Sequence, residues 1–180
     1  MRRTLAFLHA VLLAGCITPA AAQPAGTPFV GPGRLFSVRL PAGWSARTEP
    51  SPEGPITWLT GESAVVSVMA ARVPGAPPDP RLRDRLLVDL SQPYFQGWLG
   101  ALRRVGRVQA RPVTRTRLFG HPALRLDVTY LRNDARGPRT GYALFTLGDN
   151  TPYFITASAP VRSLPAANHV VEALRPGGGA

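Results

Sequence analysis

The chain has 180 residues and a net charge of +11; its 21 basic side chains are all arginine, with no lysine. That length allows one domain around a single core, and the one cysteine, Cys16, excludes a disulfide framework and thiol chemistry in the folded part. A surface of this sign favours anionic partners such as phospholipid head groups, lipopolysaccharide, nucleic acid or acidic proteins, although GC-rich codons also produce chains rich in Ala, Gly, Pro and Arg.

Arg2 and Arg3 precede an apolar run, Leu5 to Ala14, which is too short to span a bilayer and suits a signal peptide. Two cleavage positions follow. Leu13, Ala14, Gly15 and Cys16 resemble a bacterial lipobox, which implies a lipidated Cys16 and a membrane anchor. Ala20, Ala21 and Ala22 before Gln23 form an A-x-A site, which would release the protein into the periplasm. With no other cysteine in the chain, Cys16 favours the lipid route. Residues 1–22 are thus expected as leader, residues 23–33 ("QPAGTPFVGPG") as a Pro/Gly-rich linker, 34–175 as one domain and 176–180 as a tail with nothing to pack. Without Arg2 and Arg3, 19 arginines face ten acidic residues, a side-chain balance of +9.

Within the domain, Phe36, Val38 and Leu40 alternate with Ser37 and Arg39, which predicts a strand with one buried face. "ITWLTG" and "AVVSVMAARV", separated by "GES", predict a hairpin. Asp79 and Pro80 mark a helix start. Leu82, Leu86, Leu87, Leu90 and Tyr94, then Phe95, Trp98, Leu99 and Leu102, predict a bent or two-part helix over 80–102, interrupted at Pro93.

Period two then returns. "RVQARPVTRTRLFG" reads as a strand whose Pro112 calls for an edge position or a bulge. "ALRLDVTY" puts Leu124, Leu126, Val128 and Tyr130 on one face and Arg125, Asp127 and Thr129 on the other, with Arg125 and Asp127 expected to pair with a neighbouring strand. "TGYALFTL" and "PYFITASA" form another pair around "GDNT". Leu164 to Leu174 predicts a final helix with Leu164, Ala167, Val170, Val171 and Leu174 inward.

Taken together, "FSVRLPAGW", "LFGHPALRLDVTY" and "YFITASAP", in this order of elements, resemble the PsbP-like and DcrB-like group of exported proteins over most of the segment from Leu35 to Arg175. The resemblance implies an α+β domain with a single antiparallel sheet of six to seven strands, a long helix after the third strand and a C-terminal helix. It also implies a binding role, with no shared catalytic residues to carry over.

No G-x-S-x-G elbow, phosphate-binding glycine loop or zinc spacing occurs. His121 sits in "GHP", where a turn role fits best. His169 and Glu172 are a helical i, i+3 pair, two ligands without a third. No cofactor or metal is expected. The segment "RRVGRVQARPVTRTR" stands out: Arg103, Arg104, Arg107, Arg111, Arg115 and Arg117 lie in an interval without an acid, and guanidinium forks suit phosphate and carboxylate groups. Arg107 and Arg111 are expected on one side of the strand and Arg115 and Arg117 together after the bulge. These arginines are the candidate surface for an anionic lipid or an envelope protein; the same charges would also keep a free sheet edge from aggregating. Nucleic acid is disfavoured, since no aromatics interleave with the arginines. The expectation is an exported, monomeric, non-enzymatic binding module; the alternative is a periplasmic hydrolase of unrecognised type.

Overall fold

The computed structural model describes residues 26–73, 79–133, 137–148 and 151–177. The leader with Cys16 and both cleavage positions, and residues 178–180, lie outside them.

Period-two sequence becomes strand nearly everywhere it occurs. Five strands precede the long helix: β1 (Thr27–Val30), β2 (Phe36–Leu40), β3 (Ser45–Glu49), β4 (Ile56–Thr60) and β5 (Val65–Ala70). Helix α1 (Pro80–Val105) runs unbroken through Pro93 and passes without a loop into β6 (Gly106–Ala110). Then come β7 (Thr114–Leu118), β8 (His121–Arg132), β9 (Arg139–Gly148), β10 (Thr151–Pro160), α2 (Leu164–Ala173) and the two-residue β11 (Arg175–Pro176).

The strands form two sheets where one was expected. The larger is antiparallel and eight-stranded, in the order β3-β4-β5-β10-β9-β8-β6, with β7 also paired to β8. The smaller is β1-β2-β11. Thr27–Val30, inside the segment read as a linker, pairs with β2 from Thr27↔Leu40 to Val30↔Ser37. At the other end, Pro176 pairs with Phe36 and the Gly177 N–H donates to the Leu35 carbonyl at 2.7 Å, so the fold extends past Arg175. The long helix consequently follows the fifth strand rather than the third.

Each face of the large sheet carries its own apolar cluster. On one face α1 places Leu87, Phe95, Trp98, Leu99 and Leu102 over Leu124, Leu126, Val128 and Tyr130 of β8 and Ala143 and Phe145 of β9. On the other, α2 and β2 bring Ala167, Val170, Val171, Phe36, Val38 and Leu40 against Val66, Val68, Tyr153 and Ile155. Two predicted core positions of α1 are instead open to solvent, Leu82 at 46% and Leu90 at 41% exposed. Gly106, where helix becomes strand, has a steric cause: a Cβ there would lie 2.1 Å from the Leu131 carbonyl oxygen.

Candidate functional site

Strands β6 and β7 lie end to end along the outer side of β8, and neither pairs with a further strand among the described residues. The register explains the break between them. Ala110 pairs with Val128 and Thr114 with Arg125, so Arg111, Pro112 and Val113 stand opposite only Leu126 and Asp127. That is one extra residue, a bulge at Pro112. The Arg111 N–H still reaches the Asp127 carbonyl at 2.9 Å, whereas Pro112 has no N–H to lose.

All six arginines singled out in the sequence are exposed and border this edge: Arg103 and Arg104 in the last turn of α1, Arg107 on β6, Arg111 at the bulge, Arg115 and Arg117 on β7. They do not share a face. Arg107 pairs with Leu131, on the side of β8 away from α1, while Arg115 and Arg117 pair with Leu124 and Pro122, on the α1 side. The strand twists through one plane, so alternation and the extra bulge residue distribute the charges over both faces; what they share is the edge. Two are engaged. Arg115 Nη1 lies 3.4 Å from Asp84 of α1, and Arg117 Nη2 donates to the Gly120 carbonyl at 2.7 Å. The guanidinium groups of Arg103, Arg104, Arg107 and Arg111 have no hydrogen-bond or ion-pair partner among the described residues. Two apolar side chains are exposed beside them, Val113 at 48% and Leu131 at 47%.

The pair expected to reach a neighbouring strand is turned on itself. Arg125 and Asp127 share a face at i, i+2, and Arg125 Nε and Nη2 donate to the Asp127 carboxylate at 2.8 to 3.0 Å. The guanidinium lies 4.0 Å above the Tyr142 ring on β9, a cation–π contact. The bond to Asp127 holds Arg125 even further above its ordinary pKa. Burial pushes the Tyr142 hydroxyl up to about 12, opposed by the positive charge of Arg125 and assisted by Glu172 and Asp127. Tyr142 had no signal beyond β-strand alternation, because its partner is brought to it by strand register alone.

A groove of about 430 Å³ lies between the end of α2 and the β7–β8 turn, lined by Leu118, Phe119, Val171 and Leu174 with Arg117, Glu172 and Arg175. In that turn Phe119 and Gly120 both have positive φ, 54° and 80°, as a two-residue hairpin requires. Phe119 tolerates the left-handed backbone because its ring meets Tyr153 edge-on at 5.1 Å. Neither His121 nor His169 lines the groove. Among the described residues no three His, Cys, Asp or Glu side chains gather to hold a metal, and no helix is long and apolar enough to cross a membrane.

No family model matches the chain, and no curated protein does. Solved structures do. Cyanobacterial PsbP (CyanoP) from Synechocystis sp. PCC 6803 is similar with a TM-score of 0.60 at 13% identity, over 91% of this chain and 98% of that one. A Bacteroides thetaiotaomicron structure is similar with a TM-score of 0.56 at 13% identity over 84% of this chain, which spans 48% of that protein. LpqN of Mycobacterium tuberculosis, described as involved in cell envelope biogenesis, aligns over 85% of this chain and 86% of its own at 17% identity, with a TM-score of 0.41. An antiparallel sheet with α1 on one face and α2 with the small sheet on the other, superposable on cyanobacterial PsbP along nearly its whole length, makes this a PsbP-like α+β fold.

Proposed function

We propose that the chain is an exported cell-envelope protein that works by binding rather than catalysis, held beside a membrane and presenting the β6–β7 edge to an anionic partner. One observation carries the reading: four exposed arginines along this edge, Arg103, Arg104, Arg107 and Arg111, are left without a counter-charge among the described residues, while the only ion pair in the group is Arg115 with Asp84. A protein that used these charges for its own stability would pair them; exposed pairs are worth at most about 1 kcal/mol, so leaving them open costs little. The leader, with its lipobox at Cys16 and its A-x-A site at Ala22, supports export and a position at the membrane. The PsbP-like fold fits a binding role by analogy of architecture only.

The test has two parts. Retention on immobilised polyglutamate should fall steeply with salt, since exposed charges are screened beyond about 8 Å at physiological ionic strength, and should be lost in an Arg104→Glu, Arg107→Glu, Arg111→Glu variant. Unchanged retention of that variant overturns the reading. Mass spectrometry of the mature N-terminus should find an acylated Cys16; a free N-terminus at Gln23 would make the protein periplasmic and unanchored.

A further inference from the structure

We infer that the partner of the basic edge is an anionic bilayer, met edge-on, with Pro112 and Val113 of the bulge seated among the head groups. This rests on the reading of the edge as the binding surface and adds what it binds.

Three observations lead there. First, the arginines fringe both faces of the edge, Arg107 on one and Arg115 and Arg117 on the other. A partner docking on either face would meet only some of them. A flat surface presented to the edge meets all, because long arginine side chains on both sides can bend toward one plane. Second, the row is long: residues 106–118 span about 40 Å at roughly 3.3 Å per residue, which suits an extended charged surface better than a compact acidic site. Third, apolar side chains are exposed within the charged row. Val113, 48% exposed, follows Pro112 at the apex of the bulge, flanked by Arg111 and Arg115. An aliphatic tip between cations is the chemistry of the bilayer interface, where apolar groups enter the boundary and guanidinium groups hold phosphates.

The same geometry limits depth. The outer N–H and C=O groups of β6 and β7 face no further strand among the described residues, and unpaired backbone groups cannot enter hydrocarbon. The edge therefore rests at head-group level, and the proline, with no N–H, is the residue that can go deepest at least cost.

The experiment uses the full chain with Cys16→Ser, so that one introduced thiol carries an environment-sensitive fluorophore. The thiol is Val113→Cys at the bulge or Thr48→Cys on the opposite edge. Vesicles are phosphatidylcholine with or without phosphatidylglycerol. The label at 113 should shift to the blue only with phosphatidylglycerol present, and the label at 48 should not shift. Arg104→Glu, Arg107→Glu and Arg111→Glu together should weaken vesicle binding at least about a hundredfold, since loss of each cation near an anionic surface costs about a factor of five and the new carboxylates add repulsion. Should that variant not fold, raising salt on the unsubstituted chain reads the same dependence. No shift at 113, an equal shift at 48, or an equal shift on pure phosphatidylcholine overturns the proposal. If polyglutamate retention remains sensitive to the reversal while vesicles give no shift, the partner is an acidic protein and the bilayer is excluded. If neither anion responds to the reversal, the binding edge itself falls.

Discussion

The two edges of the large sheet treat their charges in opposite ways. On β3, Arg47 pairs with Glu49, the other Glu49 oxygen accepts the Trp58 indole N–H at 2.9 Å, and Thr48 meets Thr57 hydroxyl to hydroxyl at 3.0 Å. Side chains there are engaged across to β4, and Glu53 and Glu62 stand in the adjoining loops. Along the β6–β7 edge the charges are of one sign, and four of the six arginines that border it, Arg103, Arg104, Arg107 and Arg111, leave their guanidinium groups without partners among the described residues. Both strands solve the problem of a free edge, β3 by being short and internally paired, β6–β7 by a proline bulge and like charge. Only the second solution leaves electrostatic free energy available to something outside the chain. The open charges of Arg103, Arg104, Arg107 and Arg111 on one edge would orient the domain as it approaches an anionic surface.

The comparison can be broken most forcibly from beneath. Helix α1 supports the basic side, packing mainly on β6, β8 and β9. Trp98→Ala should therefore cost about 3–5 kcal/mol in urea unfolding, a cavity cost for a large buried aromatic, and should remove anion binding in proportion to the unfolded fraction. Loss of stability with binding undiminished would mean that the edge does not depend on the helix below it.

The next effect lies between the edges and is read by pH. Tyr142 is buried beneath Arg125, its hydroxyl pushed up to about 12 mainly by burial. A raised folded-state pKa contributes stability that is complete below the unfolded value near 10 and is lost as pH rises toward 12. The slope reaches about 1.4 kcal/mol per pH unit, so wild type should lose roughly 2–3 kcal/mol across that window. Tyr142→Phe should lack this component, and equal alkaline slopes for the two proteins would contradict the assignment.

Smaller changes distinguish the two protective devices. Pro112→Val restores an N–H on the basic edge and should change stability by less than about 1 kcal/mol, yet increase concentration-dependent light scattering at high salt, where arginine repulsion is screened. No change in scattering would assign the protection to charge alone. The smallest effect is expected from Arg47→Ala on β3. Its pair with Glu49 is more than half exposed on the arginine side, so stability should fall by under about 1 kcal/mol, with vesicle binding unaltered. A binding defect from Arg47 would show that the charged surface extends to both edges.

What was legible in the sequence followed from local periodicity. The alternation in β8 buried Leu124, Leu126, Val128 and Tyr130 together, and Pro112 marked the edge and its bulge. Strand β3 was not legible, because "SARTE" has one small apolar residue and its pairing is supplied by β4. Strand β1 was hidden among Pro and Gly, and nothing in the alternation of β2 says that it joins a separate sheet with β1 and β11. Leu82 precedes the first buried residue of α1, Leu87, and Leu90 lies between buried Leu87 and Ser91 but off the buried face, so periodicity overstated the buried stripe. For the candidate site, residue identity was readable and arrangement was not. The six arginines were visible, but their distribution over two faces depends on the pairing of β6 and β7 with β8, as does the meeting of Arg125 with Tyr142.

Helix α1 enters β6 at Gly106 with no intervening loop, and the N–H of Asn133, just past the end of β8, donates to the Val105 carbonyl at 2.8 Å. The edge is thus the continuation of a helix seated in the core rather than an arm on a hinge. A load applied along β6 passes straight into α1 and from there into the sheet. Association at this edge would involve an already stiff element and avoid the ordering entropy that a mobile loop would lose on capture. In return such an edge could not be reshaped to suit a curved or irregular partner, so flatness of the surface would become a condition for the proposed binding.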